Sequence, residues 1–489
     1  MVRTLLLGSR ASITSVVVRG WVLLVLPILA QVEFTSVYAQ APAGGALPAL
    51  PVQAQAVIND TVAAPQGGNI WERSNLFGDL YGLRADLAAH GIYVRLAEVE
   101  EVLGNPFGGQ RQTVSYEGIT HFGLRVDTSK AFGLPGGIFA ASGIEIHGEG
   151  LSAAALGNNV LTVSSIQAHR GTFLEQLWYE QSLLDSKLAV RVGQMRADLE
   201  FLSSNYASLF INSTFGWPGY AATDLPGGGP EYPYAALGVR VQAQPADGWT
   251  LLAAAFNGDP LGANGPASDS SGTAFRLHDG VLAIAELQYQ LNSGEDASGP
   301  TGVYKLGGWY DSDHFNDLPR SSNGPLFTNP SSNGEREKRG GNWSFYAVAD
   351  QLLWLKPNTK DQGIGVFGRV MAGPGHPNLL NVYADAGVTY RGALPGRDRD
   401  TVGLAVAWAR FSDSGSNAPG NTSGAGSGGP MGKDEVDLEL TYQIVLAPWW
   451  QIQPDVQYIV NPRSATEPTP PAPRRGNALV LGVRTNIEF

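Results

Sequence analysis

An all-β chain, closed into a transmembrane antiparallel β-barrel of about sixteen strands with one short N-terminal helix, is the fold this sequence predicts. Three observations predict it. Apolar and polar residues alternate with period two from Ile92 onward, in segments of roughly ten residues, the length a tilted membrane strand needs. Connections between the segments alternate between short and long, as periplasmic turns and extracellular loops do. The chain opens on an export segment, yet no later apolar run has helix-spanning length, so membrane residence must be as strands.

Residues 1–39 read as a signal peptide. Arg3, Arg10 and Arg19 form a basic region, Trp21–Ala30 a short apolar core, and Val37-Tyr38-Ala39 a small-residue cleavage site. Residues 40–70, with Pro42, Pro48, Pro51 and Pro65 among Ala and Gln, read as a linker or loose arm. Residues 71–91 carry the helix: Asp79 can cap it, Leu80, Leu83 and Leu87 share a face, and Gly91 can end it. It is expected to sit in the periplasmic mouth of the barrel or to cap its end.

The barrel occupies 92–489. Strand starts are expected near Ile92, Gly118, Gly137, Phe173, Lys187, Ala235, Trp249, Val281, Gly302, Ser344, Gly363, Asn381, Thr401, Glu435, Trp450 and Asn477. Within them Val436, Leu438, Leu440 and Tyr442 alternate with Glu435, Asp437, Glu439 and Thr441, and Tyr304, Leu306 and Tyr310 oppose Lys305, Trp309 and Asp311. Short connections include Asp185-Ser186 and Ala447-Pro448; long ones run from about Arg196 to Tyr234, Ser312 to Asn342, Ser412 to Asp434 and Asn461 to Gly476.

A soluble sandwich also alternates, so the period alone does not decide. Aromatics flank the apolar stripes (Trp249, Tyr390, Tyr442, Trp450, Tyr458), as interfacial girdles do, while the opposite face is ionisable. Register follows from energy. A one-residue slip of the last strand would turn Arg484 to lipid, where a cation costs about 2–4 kcal/mol at the midplane. Leu479, Leu481, Val483 and Ile487 are therefore expected outside, and Arg484, Asn486 and Glu488 inside.

Composition closes other routes. The 489 residues contain no cysteine, so disulfides cannot hold the fold. A net charge of -12 with no Lys/Arg stripe argues against nucleic acid. Gly363–Gly368 and Gly424–Gly429 match G-x-G-x-x-G but lie in a strand and a Ser/Gly-rich loop, without the strand–helix setting a phosphate cradle needs. H-E-x-x-H and G-x-S-x-G are absent, and no enzyme or cofactor is expected. His121 and His147, on neighbouring strands read as lumen-facing, lack a third metal ligand.

Three segments carry a resemblance. They are Leu76-Phe77-Gly78-Asp79 with Gly82-Leu83-Arg84, Phe215-Gly216-Trp217-Pro218 with Leu225-Pro226-Gly227-Gly228-Gly229-Pro230, and Ile452–Pro462 with Asn477–Arg484. In this order they resemble the carbohydrate-selective porins of the OprB type. The resemblance spans about Trp71 to Phe489. It implies a sixteen-stranded barrel in the outer membrane of a Gram-negative bacterium, admitting sugars by passive diffusion, as monomer or homotrimer. Phe489 resembles the terminal aromatic read by the barrel-assembly machinery.

A sugar channel needs aromatic faces for the rings and charged groups for paired hydroxyl contacts, held weakly enough for release. Period-two register nominates Arg125, Asp127, Glu145, Trp178, Glu180, Arg191, Arg240, Glu286, Lys305, Trp309, Arg369, Asp385, Arg391, Glu439, Arg484 and Glu488 for the lumen wall. Cross-strand pairing or solvation accounts equally for any single one. The connection 196–234 is too aromatic for an exposed tip, and Trp217 and Tyr220 are expected either to narrow the pore or to pin that loop to the wall. A general, weakly selective porin and a plugged structural barrel are the alternatives.

Overall fold

In a computed structural model, the described residues are 69–489, without 263–264, 293–298, 326–328, 360, 413–433 and 463–475. The signal peptide and most of the 40–70 arm lie outside them.

Sixteen strands form one closed antiparallel sheet in which each pairs with its neighbours in sequence and the last with the first. They are β1 (Ile92–Phe107), β2 (Val114–Asp127), β3 (Gly137–Gly148), β4 (Gly171–Leu183), β5 (Leu188–Met195), β6 (Ala236–Ala246), β7 (Trp249–Asn257) and β8 (Val281–Leu291). The second half is β9 (Gly302–Ser321), β10 (Arg336–Leu355), β11 (Gly363–Ala372), β12 (Leu380–Arg391), β13 (Thr401–Phe411), β14 (Asp434–Ala447), β15 (Trp450–Val460) and β16 (Ala478–Glu488). Among the described residues three short α-helices accompany them: α1 (Leu83–Ala89), α2 (Thr128–Phe132) and α3 (Gly219–Asp224). No helix among the described residues is long and apolar enough to cross a membrane.

Closure is the physical reason a chain without cysteine holds together: it leaves no edge strand. At the seam Ala97 lies opposite Glu488 and Phe107 opposite Leu479. Arg95 donates to both Glu488 oxygens, Phe489 N–H donates to the Leu96 carbonyl at 2.9 Å, and Leu76 N–H to the Glu488 carbonyl at 2.8 Å. Phe77 packs on Phe489 with centroids 5.4 Å apart, which docks the segment before α1 on the seam. Outward aromatics gather near both rims, as in Trp249–Tyr289 and Trp354–Tyr390 at the turn end and Trp343–Phe345 at the loop end.

Several local expectations are corrected. α1 starts at Leu83 with Gly82 in the cap position; Asp79 instead accepts from Ala85 N–H at 3.0 Å. The helix is not the only one. Asp127 does not line the lumen but caps α2, accepting from Ser129 N–H at 2.9 Å and Lys130 N–H at 3.3 Å. The long connection expected from Ser312 to Asn342 is largely strand, because Phe315 and Asp317 stay buried and Arg339 pairs with Asp317 at 2.6 Å.

Candidate functional site

Two connections on the loop end fold back into the barrel: L2, residues 149–170, and L3, residues 196–235. L2 carries Leu151, Leu156, Leu161, Val163 and Ile166, all buried, and a single π-helical turn, Ser152–Leu156. L3 buries Phe201, Leu202, Phe210, Phe215, Trp217 and Tyr220. Burial of this apolar surface against the inner wall drives the inward fold. The two loops bond to each other through Ser165 N–H to Ile211 O at 2.8 Å and Ser213 N–H to Thr162 O at 2.9 Å.

The inner wall of β8–β16 serves these loops. Buried backbone N–H groups need acceptors, and inward carboxylates provide them. Glu439 accepts from Ile211 and Asn212 N–H at 2.5 and 3.0 Å, Glu435 from Leu161 N–H at 2.8 Å, and Glu286 from Leu202 N–H at 2.9 Å. Arg369 works in the opposite sense. It donates to the carbonyls of Leu202, Thr214 and Gly216 at 3.1, 2.8 and 2.9 Å while Asp385 holds its other edge at 2.5 Å. Lys305 donates to Ser203 O at 2.8 Å, and Arg484 to Ser165 Oγ at 2.9 Å while paired with Glu101.

Lys305, Arg369, Asp385, Glu439 and Arg484 thus point inward but lie under the loops, and Arg484 has no exposed surface. Trp309 is likewise buried. Trp217 donates from Nε1 to Gly228 O at 3.0 Å, and Tyr220 accepts from Asn378 at 2.9 Å. Both are buried; Tyr220 ties L3 to the connection after β11 through Asn378, whereas Trp217 bonds within L3.

A different group lies at the root of L3, with only its carboxylates partly exposed. Glu180, Arg191 and Arg240 sit side by side on β4, β5 and β6, and Glu200 reaches them from the root of L3. Glu180 is 2.9 Å from both guanidinium groups, and Glu200 also pairs with both. The cross-strand Arg191–Arg240 juxtaposition would be repulsive alone; two shared carboxylates neutralise it. The Arg191 guanidinium stacks on Trp178, 3.9 Å from the ring centroid. The carboxylates are the more accessible members, 12% for Glu180 and 18% for Glu200. At the L3 root above, Arg196 is held by Asp198 and Glu175.

Arg125, 5.6 Å over the Tyr93 ring, and Arg391, 2.9 Å from Asp361, lie toward the turn end. Glu145 is the clear correction. On β3 it is Ala140, Ile144 and Ile146 that are buried inside, packed with Val99, Ile119 and Ile166, so Glu145 and His147 face outward. The polar-inside rule fails here because L2 and L3 make this stretch of lumen apolar. His121, two residues from buried Ile119 on β2, faces in, so it shares no site with His147.

Sequence reasoning overlooked L2 and the inward glycines. L2's run of buried Leu, Val and Ile in a nominal loop was the available signal. Gly365, Gly387 and Gly403 face the lumen, and a Cβ on each would fall within 2.6 Å of Tyr206, Phe367 or Leu209 respectively. No strand periodicity announces such a role.

Asp224, at the end of α3, accepts from Leu379 and Leu380 N–H at 2.7 and 3.4 Å, while Oδ2 is buried without a partner. Burial pushes its carboxyl well above the usual range, only partly opposed by those donors. A group protonated more in the folded than the unfolded loop stabilises at low pH and loses that effect as pH rises through its folded value. Open-channel noise from L3 is expected to grow with pH, and D224N to flatten that dependence, in planar-bilayer recordings across the titration.

The family model described as "Carbohydrate-selective porin, OprB family" matches residues 111–489. Porin B of Pseudomonas aeruginosa is 24% identical over 436 residues, covering 85% of this chain and 91% of that protein. The high-pH structure of Pseudomonas putida OprB superposes with a TM-score of 0.74 at 21% identity, covering 86% of this chain and all of that one. The low-pH structure of the same protein gives 0.53 at 18% identity, covering 85% and 98%.

Proposed function

The chain belongs to the OprB family of carbohydrate-selective porins, and we propose that its sugars pass along the tier of Glu180, Arg191, Arg240 and Glu200 beside Trp178. It is a sugar-selective outer-membrane porin, with the fold of a channel. The observation that carries the finer reading is the tier itself: two guanidinium and two carboxylate groups, paired and net neutral, whose carboxylates are partly exposed on the inner wall.

Such a tier suits a neutral polyhydroxylated solute. Adjacent hydroxyls can donate to Glu180 and Glu200 and accept from guanidinium edges, replacing the water those groups would otherwise hold. Because the charges already satisfy one another, a sugar gains only the difference, and binding stays weak enough for release. Net neutrality also removes an electrostatic attraction for ions of either sign. Closing strand β16, with Phe489 following it, is the element this reading presents to the assembly machinery.

Current block by monosaccharides in planar bilayers tests the tier. R191A removes the charge shared by Glu180 and Glu200 and uncovers Trp178. Its ion conductance is expected to rise while the sugar-dependent block falls severalfold. A block that survives unchanged in both R191A and E180Q places the sugar elsewhere. Liposome swelling that follows solute size alone favours the general-porin alternative.

A further inference from the structure

On the outer wall of β1–β3, facing away from the lumen, Glu98, Glu100 and His147 form a cluster that the sugar path does not use. Val99, Glu101 and Leu103 of β1 are buried inside, which turns Glu98 and Glu100 outward. Around them the same face carries Val94, Val102, Tyr116, Phe122 and Val483. Carboxylates in such an apolar surround need a counter-charge, because acyl chains cannot solvate them.

From this geometry we infer that the cluster is a binding site for one divalent transition-metal ion of the Zn2+ class. Donor atoms of Glu98, Glu100 and His147 all lie within 4.8 Å of one another. Each is prepared for a ligand. His147 Nδ1 lies 2.9 Å from Glu145, a pure acceptor, which fixes the proton there; the unprotonated Nε2, 3.5 Å from Glu100, accepts from Tyr116 Oη at 3.2 Å, a bond that an incoming ion replaces. This carboxylate–histidine arrangement is how metal-binding imidazoles are oriented. Thr120 donates to one Glu98 oxygen at 2.6 Å, while Glu98 Oε1 and Glu100 Oε2 have no hydrogen-bond partner.

The intervening strand is cleared for the site. His147 reaches across β2 at Gly118, where a Cβ would fall 2.4 Å from His147 Nε2 and 2.6 Å from Glu100 Oε2. Imidazole with two carboxylates selects a borderline ion over Ca2+ or Mg2+. The dication offsets the charge of its two carboxylate ligands, while Glu145 remains the anion that holds the imidazole. Three protein donors leave one coordination position open.

The test titrates Zn2+ against a chromophoric chelator, using detergent-solubilised full-length barrel whose fold is checked by heat-modifiable gel mobility. One equivalent is expected to bind the wild type. H147A and E100Q should abolish it, and E145Q should weaken it by about 10–100-fold through loss of imidazole orientation. G118V should abolish binding with every ligand retained. H121A, altering the lumen-facing histidine, should bind as wild type. Absence of saturable binding, or equal loss in H121A and H147A, overturns the site.

Discussion

Asp385→Ala is expected to release L3 from the wall, raise ion conductance severalfold and abolish sugar selectivity. Arg369 is fully buried and reads three L3 carbonyls, those of Leu202, Thr214 and Gly216. Its charge is tolerable there only because Asp385 accepts from Nε and Nη2, with Tyr383 donating to the same carboxylate at 2.6 Å. Removing one partner of a buried pair costs about 3–5 kcal/mol, since the other charge is left uncompensated. The barrel ladder itself is untouched, so the loss should fall on L3. Single-channel conductance and sugar block measured together check this; a variant with wild-type values of both shows that the other anchors suffice.

Gly403→Val is expected to give the same phenotype by a steric route. A Cβ at Gly403 would meet Leu209 Cδ2 at 2.6 Å and Phe210 Cζ at 2.8 Å. Phe210 cannot simply yield, because it packs between Phe215 and Phe367 at 4.9 and 5.7 Å. Overpacking of this kind costs about 1–3 kcal/mol and is relieved by moving the loop. Gly368 provides the matched control. It lies on β11 beside inward Phe367 and Arg369, so it faces out, and its nearest atom to an added Cβ is 3.7 Å away. G368A should keep wild-type conductance, whereas an equal disturbance in both variants would indicate general damage to the sheet.

Both experiments act on L3 because the pore is defined by what occupies the barrel. In the tier of Glu180, Arg191, Arg240 and Glu200 the guanidinium groups are buried and the carboxylates partly exposed, beside the root of L3. Glu439 and Arg369 hold L3 backbone, while the tier proposed for permeation keeps partly exposed carboxylates in Glu180 and Glu200.

The sequence by itself determined the closed barrel and most of its facing. Period two is a local property of each strand, and the penalty for charge in lipid sets its phase; Arg369, Asp385, Glu439 and Arg484 point inward as that phase requires. Connection lengths marked most turn and loop ends, although the long connection expected over 312–342 is largely strand and the one between β11 and β12 is short. What only the tertiary structure decided is which inward residues see water. That depends on where L2 and L3 come to rest, through contacts such as Ile211 N–H to Glu439, 228 residues away, and no strand pattern encodes a partner so distant. Glu145 shows the consequence. Its phase was misread because the loops make that side of the lumen apolar, drawing Ile144 and Ile146 inward and leaving the carboxylate on the outer wall.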